Sequence, residues 1–295
     1  MADLPVNKAG RPRALTNNQK RYAVRLVTSG AMNTAAEVQR HLRQTGVVSV
    51  NVQTIRRTLK SVGLRSGLKR KVPHLTPRHR KLRYEWAKAH KNWSINQWRK
   101  VIWSDETKIN LFGSDSRRWC WKNRGKGLES RVISQTRKYG GGNIMVWGCM
   151  TAQGAGFATR IIGNMDAALY QDILKGELVQ TLDWYDLERD HVIFQHDNDP
   201  KHTAHSTTEL LSTQNWAVLD WPPQSPDMNP IEHLWKHVKN ELYLDSEMPT
   251  NKDDLWVKVE RIWDSIDPAV CLNLIDSMPR RVEALLKARG GHTKY

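Results

Sequence analysis

His191-Val192-Ile193-Phe194-Gln195-His196-Asp197-Asn198-Asp199-Pro200 joins an apolar run to a cluster of acids that ends at a proline. A short apolar run bounded by a turn signal predicts a strand, here over 191–195, and an acid directly after it emerges at the edge of a sheet. The same pattern occurs upstream, where Val101-Ile102-Trp103 is followed by Asp105. Around these two places, short apolar runs alternate with longer helical periods. Strands are predicted over 100–103, 108–112, 143–150 and 157–162, a helix near 167–184, the strand 191–195, a helix near 203–211 and a short strand over 217–220. Helices follow from Pro230 onward. Strands first, then alternating helix and strand, predict an α/β domain with a mixed sheet.

A third acid, Glu232, lies in Ser225-Pro226-Asp227-Met228-Asn229-Pro230-Ile231-Glu232, at the start of a helix with Ile231, Leu234, Trp235 and Val238 on its inner face. Asp105, Asp197 and Glu232 brought together could hold two hard divalent ions, because Mg²⁺ takes oxygen ligands and keeps other positions for water and phosphate; Mn²⁺ can substitute. Each acid also has an ordinary reading. Asp105 and Glu106 could be turn residues, Asp197 to Asp199 a turn closed by Pro200, and Glu232 the acidic member of a capping box opened by Asn229. His196, His202, His205 and His233 lie nearby, but they have no familiar zinc spacing, which favours an oxygen-ligated metal.

Charge divides the chain. Lys and Arg total 46 against 30 acids, for a net charge of +16, yet residues 1–100 hold 23 of the basic residues and three acids, Asp3, Glu37 and Glu85. A basic front on a slightly acidic body reads as a polyanion-binding segment attached to a globular domain, with nucleic acid as the partner and a membrane surface as the rival polyanion. No apolar run approaches the roughly 20 residues that span a bilayer, so no membrane association is expected. Cys120, Cys149 and Cys271 are odd in number and far apart, and read as ordinary reduced thiols.

Within the basic front, residues 15–64 read as an all-α helix-turn-helix DNA-binding domain. Thr16 with Gln19 and Thr34 with Glu37 are capping-box pairs, and Asn51 caps a third helix over 52–62 that Gly63 ends. That helix places Ile55, Leu59 and Val62 inward and Gln53, Arg56, Arg57 and Lys60 outward, the side chains of a recognition helix. Before it, residues 1–14 form a basic segment in which Arg11 and Arg13 of Gly10-Arg11-Pro12-Arg13 suit a narrow minor groove. After it, residues 65–97 read as a basic linker. Its clusters, Lys69-Arg70-Lys71 and 78–83, resemble a nuclear import signal and predict a nuclear protein.

Trp103-Ser104-Asp105-Glu106, Gln195-His196-Asp197-Asn198-Asp199-Pro200-Lys201-His202 and the segment 225–232 together resemble the three catalytic signatures of the mariner superfamily of DDE transposases. Between Asp197 and Glu232 lie 34 positions, 198–231, the spacing of its Tc-type branch. Gly140-Gly141-Gly142 before Met145-Val146-Trp147-Gly148 extends the similarity, which runs from Gly10 almost to the C-terminus. The resemblance implies a ribonuclease-H-like catalytic domain over 98–295. It implies cut-and-paste transposition at terminal inverted repeats with insertion at TA, and Asp105, Asp197 and Glu232 as the metal-binding triad. It also implies a clamp loop at about 115–142, with Trp119 and Trp121, that reaches a partner in a homodimer or larger DNA complex. The family carries two helix-turn-helix units joined by a Gly-Arg-Pro-Arg-like link, and this chain begins near that link, so the first unit is expected to be absent. The competing reading is a sequence-specific DNA-binding remnant without catalytic activity.

The basic front predicts a steep salt dependence. If Z phosphates are neutralised, a plot of log affinity against log salt has a slope of roughly −0.9Z. A filter-binding or anisotropy titration at several salt concentrations is expected to give such a slope, and a flat response would exclude phosphate contacts as the source of binding.

Overall fold

The computed structural model describes residues 14–67, 72–111, 142–245 and 247–295, and the chain divides after Lys71 into two units. In the first, side-chain caps set where three helices begin. The Thr16 hydroxyl accepts from Gln19 N–H ahead of α1 (Asn17–Thr28), and Thr16 N–H donates back to the Gln19 side chain at 2.9 Å, satisfying two donors that the helix itself cannot. Thr34 caps α2 (Ala35–Gln44) through Glu37 N–H, while the Glu37 carboxylate reaches back to Asn33 N–H at 2.7 Å. Asn51 accepts from Gln53 N–H at 2.8 Å to start α3 (Val52–Ser61). Leu15, Ala23, Leu26, Val38, Leu42 and Ile55 form the core of this unit. Val62 is 54% exposed, contrary to the inward position that the helical period assigns it. The helix stops at Ser61 and the chain turns through Gly63 at φ +81°, which carries Val62 off the apolar face.

The second unit is built on a mixed sheet in the order β3-β2-β1-β4-β5. The strands are β1 (Val101–Asn110), β2 (Asn143–Thr151), β3 (Gly154–Ile161), β4 (Ile193–Gln195) and β5 (Ala217–Val218). β1, β2 and β3 pair antiparallel, and β4 and β5 continue the sheet parallel to β1. This is the ribonuclease-H-like arrangement expected from the sequence. β1 is one strand rather than two, because Ser104 to Thr107 keep their pairing with β2.

Alternation along β1 feeds two cores. Val101 and Trp103 point to one face, with α4 (Pro77–His90), α5 (Ile95–Arg99), α9 (Ile231–Leu244), α10 (Lys252–Asp264), α11 (Pro268–Ile275) and α12 (Met278–Lys287). Ile102 points to the other, with α6 (Ala167–Ile173), a π-helical turn (Leu174–Leu178), α7 (Val179–Trp184) and α8 (His205–Thr213). The segment 77–90 is therefore no linker. Thr76 caps it, Pro77 sits at the helix start where a missing N–H costs nothing, and Arg83, Trp86 and Ala87 are buried along its inner side.

Leu42 is fully buried in the first unit. Leu42→Ala is expected to lower its stability by about 2–5 kcal/mol through lost transfer energy and a residual cavity, whereas Val62→Ala should change it by less than about 0.5 kcal/mol. Urea unfolding followed by circular dichroism would show both; equal costs would contradict this assignment of the core.

Candidate active site

β1 and β4 pair at Val101↔Ile193, Ile102↔Phe194 and Trp103↔Gln195, and there β4 ends. Asp105 and Asp197 each stand two residues beyond the last of these pairs, so the parallel register places both acids at the same end of the two adjacent strands. Asp105 does not follow the end of its own strand, as the sequence reading expects. It lies within β1, opposite Gly148 on β2, and the strand that stops at its level is β4. Ser104 is locked at this junction: its N–H donates to Gln195 Oε1 at 3.3 Å and its hydroxyl to the Gln195 carbonyl at 2.8 Å.

Glu232 arrives by a second route. Buried Asn229 donates from Nδ2 to the Ser104 carbonyl at 3.1 Å and accepts from Ile231 N–H at 3.4 Å, which ties the first turn of α9 to β1 beside Asp105. The Glu232 carboxyl comes within hydrogen-bonding reach of Asp105. Gly148 makes this approach possible. A Cβ there would stand 2.8 Å from the Trp235 ring, one helical turn after Glu232, so any side chain would push α9 away.

The two halves of the site differ electrostatically. Burial raises the Asp105 carboxyl well above the usual carboxylate range, and the charges of Glu232, Glu106 and Asp197 add to it. Burial raises Glu232 as well, against the pull of Lys239 and the bond to Asp105. Neighbouring carboxyls at close range cannot both ionise without a cation, and so share a proton. Asp197 goes the other way: against burial, its hydrogen bonds from His202 and Asp199 N–H and the charge of Lys201 hold it below the usual range. His202 Nδ1 lies 2.7 Å from Asp197 Oδ1 and its Nε2 3.1 Å from Glu106 Oε1. Despite burial, these two acceptors push its pKa up to about 9. His196 is pushed down to about 4 by burial and by the charge of His202, and its Nδ1–H donates to the Asp197 carbonyl at 2.8 Å.

A family model described as a DDE superfamily endonuclease matches residues 100–255, and one described as a transposase matches residues 20–92. The Tc1 transposase of Caenorhabditis elegans is 38% identical over 264 residues, which is 89% of this chain and 94% of that protein. The chain belongs to the mariner/Tc1 DDE transposases. Two solved structures of the mariner Mos1 paired-end complex, one with Mg and one with Mn, share the fold with TM-scores of 0.80 and 0.78 at 21% identity. They align with 100% and 98% of this chain and with 85% and 83% of theirs.

In this transposase the loop that leads into α9 and Glu232 is held by a buried cation. Arg83, on α4, is 0% exposed and grips Asp227 with both guanidinium nitrogens at 2.8 Å. Its remaining donors reach the carbonyls of Gln224, Gly290 and Gly291 and the Ser225 hydroxyl. Thr293 donates its N–H and hydroxyl to Asp227 Oδ2, so the C-terminal segment closes over the pair. The second basic cluster, 78–83, lies within α4, where Arg83 is buried.

Glu106, His202 and Asn229 enter the sequence reading only as a turn residue, a neighbouring histidine and a helix cap, and Asp227 and Arg83 are given no role at the site there, although the first four lie inside the three quoted motifs. Of the expected DNA contacts, Gln53, Arg56, Arg57 and Lys60 are all exposed along α3. Arg11, Arg13, Lys69, Arg70, Lys71, Trp119 and Trp121 lie outside the described residues, as does the expected clamp loop up to Gly141. Cys149 and Cys271 are free and buried, consistent with reduced thiols. The histidines near the site form no metal cluster among the described residues. The one compact group of three ligand side chains there is exposed Glu188, Asp190 and His191, ahead of β4.

Arg83→Ala would leave Asp227 buried without its cation, with an expected loss of about 3–5 kcal/mol at neutral pH. Against burial, Arg83 holds the Asp227 carboxyl below its ordinary value. Its stabilising effect is therefore full above the unfolded carboxylate pKa and disappears as pH falls through the lowered folded value. Urea unfolding of both proteins across that range is expected to show the gap narrowing in acid; a gap constant with pH would rule out the ion pair as its source.

Proposed function

We propose that this transposase cuts DNA at the terminal inverted repeats of its element and joins the freed 3′ ends to target DNA at TA, with Asp105, Asp197 and Glu232 as its catalytic carboxylates. The observation that carries this reading is their convergence, two by the β1–β4 register and the third by the Asn229 tie between α9 and β1. The donor set suits two Mg²⁺, with Mn²⁺ as a substitute. It consists of carboxylate oxygens, and Asp105 and Glu232 carry a raised affinity for a proton that a hard cation would displace. Asp105 feels the charges of both Asp197 and Glu232, so the three carboxylates together would hold the ions. When bound, such ions supply an activated attacking oxygen and stabilise the leaving one.

The protein's own residues supply placement. Oδ1 of Asp105 accepts from Glu106 N–H at 2.8 Å and Oδ1 of Asp197 from Asp199 N–H at 3.0 Å, so both carboxylates are oriented before any substrate arrives. On the DNA side, Gln53, Arg56, Arg57 and Lys60 of α3 would meet the terminal repeat in its major groove, and Arg11 and Arg13 its minor groove. Lys69, Arg70 and Lys71 would track phosphates, and Trp119 and Trp121 would reach a partner copy. The paired-end complexes of the related Mos1 protein support assembly on DNA as a dimer or larger. The DNA substrate and the Lys69-Arg70-Lys71 cluster support work in the nucleus.

Incubation of the full chain with duplex DNA carrying the element's repeats is expected to give Mg²⁺-dependent cuts at the repeat ends. Asp197→Asn should abolish them with the circular dichroism spectrum unchanged. A variant that still cuts would overturn the assignment of the site, and specific binding by the native chain without any cutting would point to a DNA-binding remnant.

A further inference from the structure

One side chain in this site grips two acids at once. His202 is 4% exposed, its ring lies 4.1 Å from that of fully buried Tyr170 on α6, and the His196 ring meets it edge-on at 5.4 Å. These aromatic walls fix the plane of the imidazole. Carboxylate oxygens lie 2.7 Å from its Nδ1 and 3.1 Å from its Nε2, so each ring nitrogen is held by an acid. Glu106 follows Asp105 on β1 and its N–H bonds Asp105 Oδ1. The bridge therefore closes a circuit from Asp105 through Glu106 and His202 to Asp197.

On Asp197, the bonds from His202 and from Asp199 N–H both fall on Oδ1, which leaves Oδ2 for a cation. We propose that His202 is a positioning residue: anchored by Glu106, it fixes the orientation of the Asp197 carboxylate so that Oδ2 faces the metal position. This rests on the reading of Asp197 as a cation ligand.

If His202 positions Asp197, its removal weakens cation binding; if it only packs beside the site, its removal leaves cation binding unchanged. The measurement is Mn²⁺ affinity of the full chain without DNA, read from the electron paramagnetic resonance signal of free Mn²⁺, for native protein, His202→Asn, Glu106→Gln, the double variant and Asp197→Asn. His202→Asn is expected to weaken binding about 10- to 100-fold, the usual effect of losing a partner that orients a ligand. Glu106→Gln should weaken it in the same direction. The double variant should be no worse than the poorer single one, because both act through one bridge.

Unchanged or tighter Mn²⁺ binding in His202→Asn, or a lowered melting temperature with native affinity, would overturn the proposal. Asp197→Asn separates the two levels. If it weakens Mn²⁺ binding while His202→Asn does not, only the positioning role falls. If Asp197→Asn itself binds Mn²⁺ like the native chain, the ligand reading falls and the positioning role with it.

Discussion

Three backbone pairs between two parallel strands decide where the proposed catalytic carboxylates Asp105 and Asp197 stand. β1 and β4 meet only at 101–103 and 193–195. Beyond that point β1 continues along β2 while β4 stops, which opens a gap in the sheet at the level of Asp105 and Asp197. A shift of one residue in this register would turn one of the two acids to the opposite face. The register is itself guarded: the two Ser104 bonds to Gln195 sit at the last pair, and Ile102 and Trp103 are buried in different cores, so slippage would expose one and misplace the other.

The third carboxylate depends on longer-range contacts. Glu232 comes from a helix more than a hundred residues after β1, and its approach is held from three sides. Asn229 ties it to Ser104, Gly148 leaves room for Trp235, and Arg83 fastens the preceding loop through Asp227. An apolar pair in place of Arg83 and Asp227 could stabilise the fold as well or better, because desolvating two charges is costly. An ion pair with every donor assigned does something that an apolar contact does not: it permits a single arrangement of the loop. In this unit that arrangement brings together the start of α9, the C-terminal segment and α4.

Much of this was legible in the sequence, and the misses have physical causes. The caps at Thr16, Thr34 and Asn51, the outward row on α3 and the order of strands all follow from local rules, because each is decided within a few residues. The three acids could be named because each follows an apolar run or opens an amphipathic helix. The split of β1 into two strands was an error of the opposite kind: Ser104 to Thr107 look like a turn in isolation, and only the neighbouring strand β2 makes them strand. The linker reading failed over 77–90 for a related reason. The outer side of α4 is strongly basic, and that charge hides an inner side made of Arg83, Trp86 and Ala87. Burial of an arginine cannot be anticipated without its partner, and Asp227 lies 144 residues away.

The residues that support the carboxylates were harder to read than the carboxylates themselves. Asp105, Asp197 and Glu232 stand out in the sequence because each follows an apolar run or opens an amphipathic helix, within the three motifs that resemble the family signatures. His202, Glu106 and Asn229 have many uses, and what distinguishes them is direction: which oxygen of a carboxylate is already taken and which is left. A side chain's residue type carries no information about direction, which comes from the register, the helix start and the aromatic walls around the imidazole. The acids define which reaction the site can perform, and their neighbours define the geometry in which the acids are presented to it.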